Sequence, residues 1–245
     1  MNNYITDYQK SKNALGSGLQ RYMAQVYGHV ALALFTTALG ALLALTIEPM
    51  GQLFFQFDAF GQFIGYTGFG LLVSFAPFLM AMYLSCKVAQ LSFTHSRWLF
   101  LGYAFLTGIS FSCLAFYYTI DSLHKTFLIA AITFGSMSIF GYTTHRDLTS
   151  VGAFCRTAIW GLMISTLVNL FLKSEAIDFV TSFIGVIAFT SLIAYQTQRL
   201  KTLYYEMQET ALAKKVGLMA AFSLYINFLN LFLYLLRFFG ERRRK

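Results

Sequence analysis

Seven long apolar runs without a carboxylate occupy most of the 245-residue chain. A membrane-spanning helix needs about 20 apolar residues, because a rise of 1.5 Å per residue must cross a hydrocarbon core of about 30 Å. Only the fifth run is short, and it reaches this length if its helix starts near Ala153 and Arg156 extends toward the headgroups. The runs cover residues 22–47, 59–86, 98–120, 126–144, 157–172, 179–198 and 216–236.

The runs are continuous rather than alternating, which indicates helices and not the strands of a membrane barrel. The hydrophobic fraction of 57% and the charged fraction of 11% exclude an ordinary soluble domain. The sequence therefore predicts an all-α integral membrane protein with seven transmembrane helices in one domain, residues 22–239. Residues 1–21 are predicted to form a cytoplasmic N-terminal tail, and residues 240–245 a basic C-terminal tail.

The net charge of +8 is distributed unevenly between the two ends of the predicted spans. If the N-terminus is cytoplasmic, the outer loops carry only Lys125 and Lys173. This asymmetry is the positive-inside pattern of a membrane protein in contact with the lipid bilayer, and we expect no nucleic-acid partner. The inner segments hold Lys10, Lys12, Arg21, Lys87, Arg97, Arg146, Arg156, Arg199, Lys201, Lys214 and Lys215.

The basic C-terminal tail departs from this pattern. Arg237 and the four basic residues at 242–245 would lie outside if the last run crosses the membrane completely. Either the last run is re-entrant and the tail returns to the inner side, or the earlier helices set the orientation and the tail stays outside. The sequence leaves both alternatives open.

The residues that usually carry enzyme chemistry are scattered. Cys86, Cys113 and Cys155 form no CxxC pair, and the four histidines lack metal-ligand spacing. No nucleophile is paired with a base in the sequence. We therefore expect a protein that is not an enzyme and that has no cofactor and no metal site.

A polar stripe follows one face of the last predicted helix. Ser223, Asn227, Asn230 and Tyr234 are spaced i, i+4, i+7 and i+11. Such a stripe either forms interhelical hydrogen bonds or lines a path for an ion or ligand. Gln196, near the end of the sixth run, is placed to meet Asn227, because two amides can donate to and accept from each other.

The densest polar cluster, residues 142–149, follows the fourth run on the inner side. We interpret it as a helix end with Arg146 and Asp147 in the headgroup zone. Thr149 is predicted to cap the helix that follows.

Three segments of the sequence together resemble the Bax inhibitor-1 family, in its bacterial YccA-like branch. They are FGSMSIFGYTTHRDLT at residues 134–149, AYQTQR at 194–199 and LYINFLNLFLYLLR at 224–237. The resemblance covers most of the chain and is strongest from Phe127 onward. It implies seven helices with the last one central, a bacterial inner-membrane location, and a passive, pH-regulated calcium leak.

In that family, two aspartates in the sixth and seventh helices share a proton and gate the leak. Gln196 and Asn227 occupy the matching positions here, so both carboxylates are replaced by amides. Two close carboxylates titrate because their charges repel, whereas two amides have nothing to titrate. We therefore expect any residual leak of calcium or other cations to be weak and insensitive to pH.

A second function of a different class stays open. Bacterial relatives are associated with regulating a membrane-bound quality-control protease, which needs no ion path. A leak predicts ion flux, whereas a modulator predicts association with a membrane protease complex that depends on the N-terminal tail.

Overall fold

The computed structural model describes residues 2–59, 62–87, 90–207 and 211–243, with side chains from residue 16 onward except at 211 and 212. The side chains of Lys10 and Lys12, as well as Arg244 and Lys245, lie outside this described part. The elements are α1 Asn2–Thr46, α2 Glu48–Phe54, β1 Phe55–Phe57, β2 Phe63–Tyr66, α3 Gly68–Lys87, α4 Phe93–Phe111, α5 Leu114–Tyr117, α6 Ile120–Thr143, α7 Thr149–Leu172, α8 Glu175–Met207 and α9 Ala211–Phe239.

The predicted all-α membrane fold is confirmed. In the described residues, seven helical segments are long and apolar enough to span a membrane: α1, α3, α4 with α5, α6, α7, α8 and α9. We call the end that carries Arg97, Arg146 and Arg199 the inner end, and the opposite end the outer end. Successive spans run in opposite directions, so each connection marks one of these two ends.

The last helix, α9, is the centre of the bundle. It packs against α1, α4, α6 and α8, while α3 packs on α4 and α7 packs on α8 at the periphery. Of the seven spans, α9 has the largest buried share, 56% of its apolar window. Tyr225, Leu224 and Leu231 on this helix are almost completely buried. The main core of the protein therefore surrounds α9.

Two of the predicted runs have the wrong bounds. The run predicted at 59–86 begins with an antiparallel hairpin, because β1 pairs with β2 and the helix starts only at Gly68. Aromatic residues suit strands and membrane helices alike, so hydropathy does not separate the two. The run predicted at 98–120 is interrupted after Phe111, and Thr119 caps the start of α6 by accepting a hydrogen bond from the Ser122 N–H at 3.3 Å.

The short fifth run does extend toward its N-terminus. Helix α7 begins at Thr149 and includes Arg156, whose Nη1 donates to the Tyr195 hydroxyl at 3.2 Å. The guanidinium also lies 5.4 Å from the centre of the Tyr195 ring. The exposed Arg156 side chain is therefore also bound to Tyr195 of α8.

The C-terminal segment lies at the outer end, and α9 is continuous rather than re-entrant. The Thr119 N–H donates to the Glu241 carbonyl at 3.1 Å, and the Arg243 N–H donates to the Tyr117 carbonyl at 2.9 Å. Arg242 lies 3.7 Å from the Asp178 carboxylate at the start of α8. These contacts favour the alternative in which the described basic tail residues stay at the outer end.

Candidate functional site

A cavity opens between α8 and α9 near the inner end of the protein, and we call it the inner cavity. It has a volume of about 210 Å³, and Gln196, Arg199 and Ser223 supply its polar lining. Leu200, Leu203, Val216, Met219 and Ala220 complete the wall. Two of the five predicted pathway residues, Gln196 and Ser223, therefore line one cavity.

Two buried amide atoms adjoin this region without a protein partner. Asn227 lies one helical turn beyond Ser223 toward the membrane centre and is only 5% exposed. Its Nδ2 and the Oε1 of Gln196 are buried, and neither forms a hydrogen bond with any described residue. A direct bond between these two atoms is therefore not formed. Unpartnered buried amide groups are uncommon, because each costs about 1–3 kcal/mol of desolvation.

The outer half of the polar stripe is occupied by packing. Asn230 Nδ2 donates to the Ile226 carbonyl of its own helix at 2.9 Å. The Tyr234 ring stacks on Phe189 at a centroid distance of 5.6 Å and covers Gly185, where any larger side chain would meet the ring. This half of the α8–α9 interface is therefore apolar and filled.

Two pairs of hydroxyl groups connect α1 to α8 and α9. The sequence analysis did not predict either pair. The hydroxyls of Tyr27 and Thr197 are 2.8 Å apart, and those of Thr37 and Tyr225 are 2.6 Å apart. Thr197 is fully buried between Gln196 and Gln198 in the chain. The only sequence signal was a hydroxyl group inside an apolar run, which many spans share.

Gln198 organises the polar cluster at the inner end. Its Oε1 accepts from the Leu148 N–H at 2.9 Å, and its Nε2 donates to the Arg146 carbonyl at 2.7 Å. The oxygen and the nitrogen of this one side-chain amide thus both hold the turn between α6 and α7 against α8. We call this arrangement the inner clamp, defined by Arg146, Leu148 and Gln198.

The helix cap in this cluster differs from the prediction. Thr149 is the first residue of α7, and Leu148 at the N-cap position provides no side-chain cap. Instead, Asp147 Oδ1 accepts from the Thr149 hydroxyl at 2.6 Å and from its N–H at 2.9 Å. The hydroxyl bond, followed by the backbone bond, lowers the pKa of the Asp147 carboxyl. A carboxylate accepts both bonds better than a hydroxyl does and also suits a helix N-terminus.

The chemistry available at the inner cavity is that of amides, one hydroxyl and one guanidinium. Among the residues that the structure describes, no three His, Cys, Asp or Glu side chains cluster as a metal site. The lining can donate and accept hydrogen bonds, but it holds no group that titrates near neutral pH.

Comparison with known proteins gives consistent matches over nearly the whole chain. The family described as "Inhibitor of apoptosis-promoting Bax1" matches residues 19–244. An uncharacterized protein of Rickettsia prowazekii is 44% identical, over 98% of this chain and 100% of that protein. The inner membrane protein YbhL of Escherichia coli K12 is 39% identical, over 93% of this chain and 94% of that protein. An uncharacterized protein of Caulobacter vibrioides is 36% identical, over 99% and 100% respectively.

Proposed function

The chain belongs to the Bax inhibitor family and is a multi-pass protein of the bacterial inner membrane, and from this premise we propose that it is a passive cation leak that lacks a proton switch. The proposed path begins at the inner cavity and follows the α8–α9 interface past Asn227. The Phe189–Tyr234 stack closes the path toward the outer end in the described conformation.

The observation that carries this proposal is the pair of unpartnered amide atoms beside the inner cavity. Gln196 Oε1 and Asn227 Nδ2 are buried in the membrane region without a hydrogen-bond partner among the described residues. A purely structural interface gains stability by pairing such groups or replacing them with apolar ones. Of the two unpaired atoms, the Gln196 oxygen can contact a passing cation, whereas the Asn227 N–H can donate to the water that accompanies it.

Calcium is expected to be a poor substrate for this path. Calcium prefers carboxylate oxygens, and the inner cavity offers amide and hydroxyl oxygens only. Arg199 also lines the cavity, and its positive charge raises the energy of a divalent cation there. We therefore expect slow permeation of calcium, unchanged between pH 6 and pH 8.

The test is calcium flux into dye-loaded proteoliposomes from pH 6 to pH 8. The Gln196→Asp/Asn227→Asp variant restores two neighbouring carboxylates, so its flux should rise and become dependent on pH. Each single aspartate variant serves as a control, because one carboxylate has no close partner with which to share a proton. The Gln196→Leu/Asn227→Leu variant should abolish the residual flux.

Three results would contradict the proposal. Flux in the native protein that depends on pH would show that another group titrates. Flux that survives in the double leucine variant would place the path elsewhere. Absence of flux in both the native protein and the double aspartate variant, in folded samples, would remove the leak function and leave the second candidate.

The second candidate is a modulator of a membrane-bound quality-control protease, and one feature favours it. Helix α1 runs without a break from Asn2 to Thr46, and its first part, residues 2–13, is polar in sequence, with Asp7, Lys10 and Lys12. These polar turns are about 18 Å long and lie at the inner end, where a partner could contact them.

This candidate is tested with a purified membrane protease reconstituted together with the full chain. Deletion of residues 2–15 should abolish both co-purification and the effect on proteolysis, whereas Gln196→Leu should leave both unchanged. Proteolysis that is the same with and without the full chain would contradict the candidate.

A further inference from the structure

A second cavity, which we call the basic cavity, opens at the inner end between α1, α4 and α9. Its volume is about 320 Å³, and its charged lining consists of Arg97 on α4 and Lys214 on α9. Both side chains are exposed. No carboxylate lines this cavity, so its electrostatic potential is positive.

The two cations of this cavity have no ion pair with any described residue. The one ion pair between described side chains, Arg242 with Asp178, lies at the outer end. The cavity at that end contains Lys173, Arg237 and Arg242, and its two carboxylates, Glu175 and Asp178, offset two of these three positive charges. The basic cavity therefore offers two cations without a carboxylate in its lining, whereas the inner cavity offers one, Arg199.

The remaining lining combines a fixed polar wall with an apolar floor. His29 Nδ1 donates to the Gln25 carbonyl at 2.6 Å, and its ring meets Phe93 edge-on at 6.1 Å. Both contacts hold the imidazole at the cavity wall. Val26 and Leu218 are buried and supply apolar surface below the charged groups.

The cavity lies where two of the spans begin, a depth at which we expect the lipid headgroups of the inner leaflet. Arg97 lies in the second turn of α4 and Lys214 in the first turn of α9, close to where these spans begin. Trp98 follows Arg97 and is 68% exposed, as is typical of aromatic residues at the membrane interface. A ligand in the cavity can therefore place its charge between the cations while its apolar part enters the bilayer.

We propose that the basic cavity binds the phosphate of an anionic phospholipid of the inner leaflet. Basic pockets between transmembrane helices on the cytoplasmic side suit such headgroups, because the phosphate meets two cations and the glycerol region meets apolar side chains. The site is separate from the inner cavity between α8 and α9, and it does not depend on ion permeation.

The experiment measures lipid retention by the full-length protein in detergent, by native mass spectrometry after addition of phosphatidylglycerol or phosphatidylcholine. The Arg97→Gln/Lys214→Gln variant should bind phosphatidylglycerol about 25-fold more weakly, since each basic residue near an anionic lipid contributes about fivefold. The matched control is Arg21→Gln/Lys215→Gln, which removes the same charge from the same end but outside the cavity lining. It should retain the lipid, and all proteins should keep the same melting temperature.

Other outcomes would overturn the proposal. Equal weakening in the control variant would show that only the overall charge of the inner end attracts the lipid. Equal retention of phosphatidylcholine would show that the negative headgroup is not recognised. Displacement of phosphatidylglycerol by millimolar inorganic phosphate would identify a site for a soluble anion instead of a lipid.

Discussion

Gln196 and Gln198 stand two residues apart on α8, yet their surroundings differ completely. Gln198 uses both its amide oxygen and its amide nitrogen to hold the turn between α6 and α7. Gln196 has a buried oxygen without a partner and faces the inner cavity. The comparison indicates that the inner clamp serves architecture, whereas the inner cavity retains bonding capacity that the fold itself does not use. Four predictions test this difference.

We expect the largest change in stability from adding a methyl group where α6 and α8 touch beside the inner clamp. Gly141 lies directly against the Ala194 backbone, so the side chain in Gly141→Ala would force α6 and α8 apart. We expect a loss of about 3 kcal/mol in the free energy of unfolding, measured by chemical unfolding in detergent. Gly135→Ala on the same helix is the control, because an added methyl group there meets nothing within 4 Å. Similar losses in both variants would contradict a close-packed clamp region.

The next effect concerns the clamp itself. Gln198→Leu removes both hydrogen bonds to the α6–α7 turn, and we expect a loss of about 2 kcal/mol in the free energy of unfolding. Gln198→Glu keeps an acceptor for the Leu148 N–H but places a carboxylate oxygen against the Arg146 carbonyl oxygen, so it should not recover the stability lost in Gln198→Leu. Stability that is unchanged in Gln198→Leu would show that these bonds do not support the fold.

The same substitution at Gln196 should act in the opposite direction. Gln196→Leu replaces a buried acceptor that has no partner, so the free energy of unfolding should rise by up to about 1 kcal/mol. The measurement is again chemical unfolding, with Gln198→Leu as the matched comparison. A loss as large as that of Gln198→Leu would remove the distinction between the two glutamines.

The smallest effect should come from the exposed cap at Asp147. The pKa of the Asp147 carboxyl in the folded protein lies below its ordinary value of about 4. The carboxylate therefore contributes fully to stability above about pH 4. This contribution is lost as the pH falls through the pKa of the folded state. Asp147→Asn keeps an acceptor but cannot titrate. The difference in melting temperature between native protein and variant should therefore shrink below pH 4. A difference that is constant from pH 7 to pH 3 would contradict this role.

Hydropathy predicted the membrane spans because the bilayer imposes their length and composition, whatever the neighbouring helices are. It did not predict the β1–β2 hairpin, since Phe55, Phe63 and Tyr66 are as apolar as the spans that follow. The hairpin packs on α5 instead, where Phe63 stacks on Phe116 at a centroid distance of 4.8 Å. Such a contact joins residues far apart in the chain and leaves no local signal.

The sequence predicted some of the residues that belong to the candidate site but not the cavity that they adjoin. The helical spacing of Ser223 and Asn227 placed them on one face, and the family motif pointed to Gln196. Their proximity to a cavity that also contains Arg199 depends on how α8 packs against α9. Apart from the family motif, no pattern in the sequence distinguishes the surroundings of Gln196 from those of Gln198, because the partner of Gln198 is a turn 50 residues earlier in the chain.

The central position of α9 has a consequence for biosynthesis. This helix leaves the ribosome after the six spans before it, although α1, α4, α6 and α8 all pack against it. During translation, those helices reach the bilayer before the surface that they will bury has been made. Their inward faces, which include Val26, Phe100 and Phe134, must meanwhile contact lipid, each other or the insertion machinery. Assembly of the bundle therefore becomes complete only when the final span enters, and the contacts of residues 241–243 with the 117–119 turn then close the outer end.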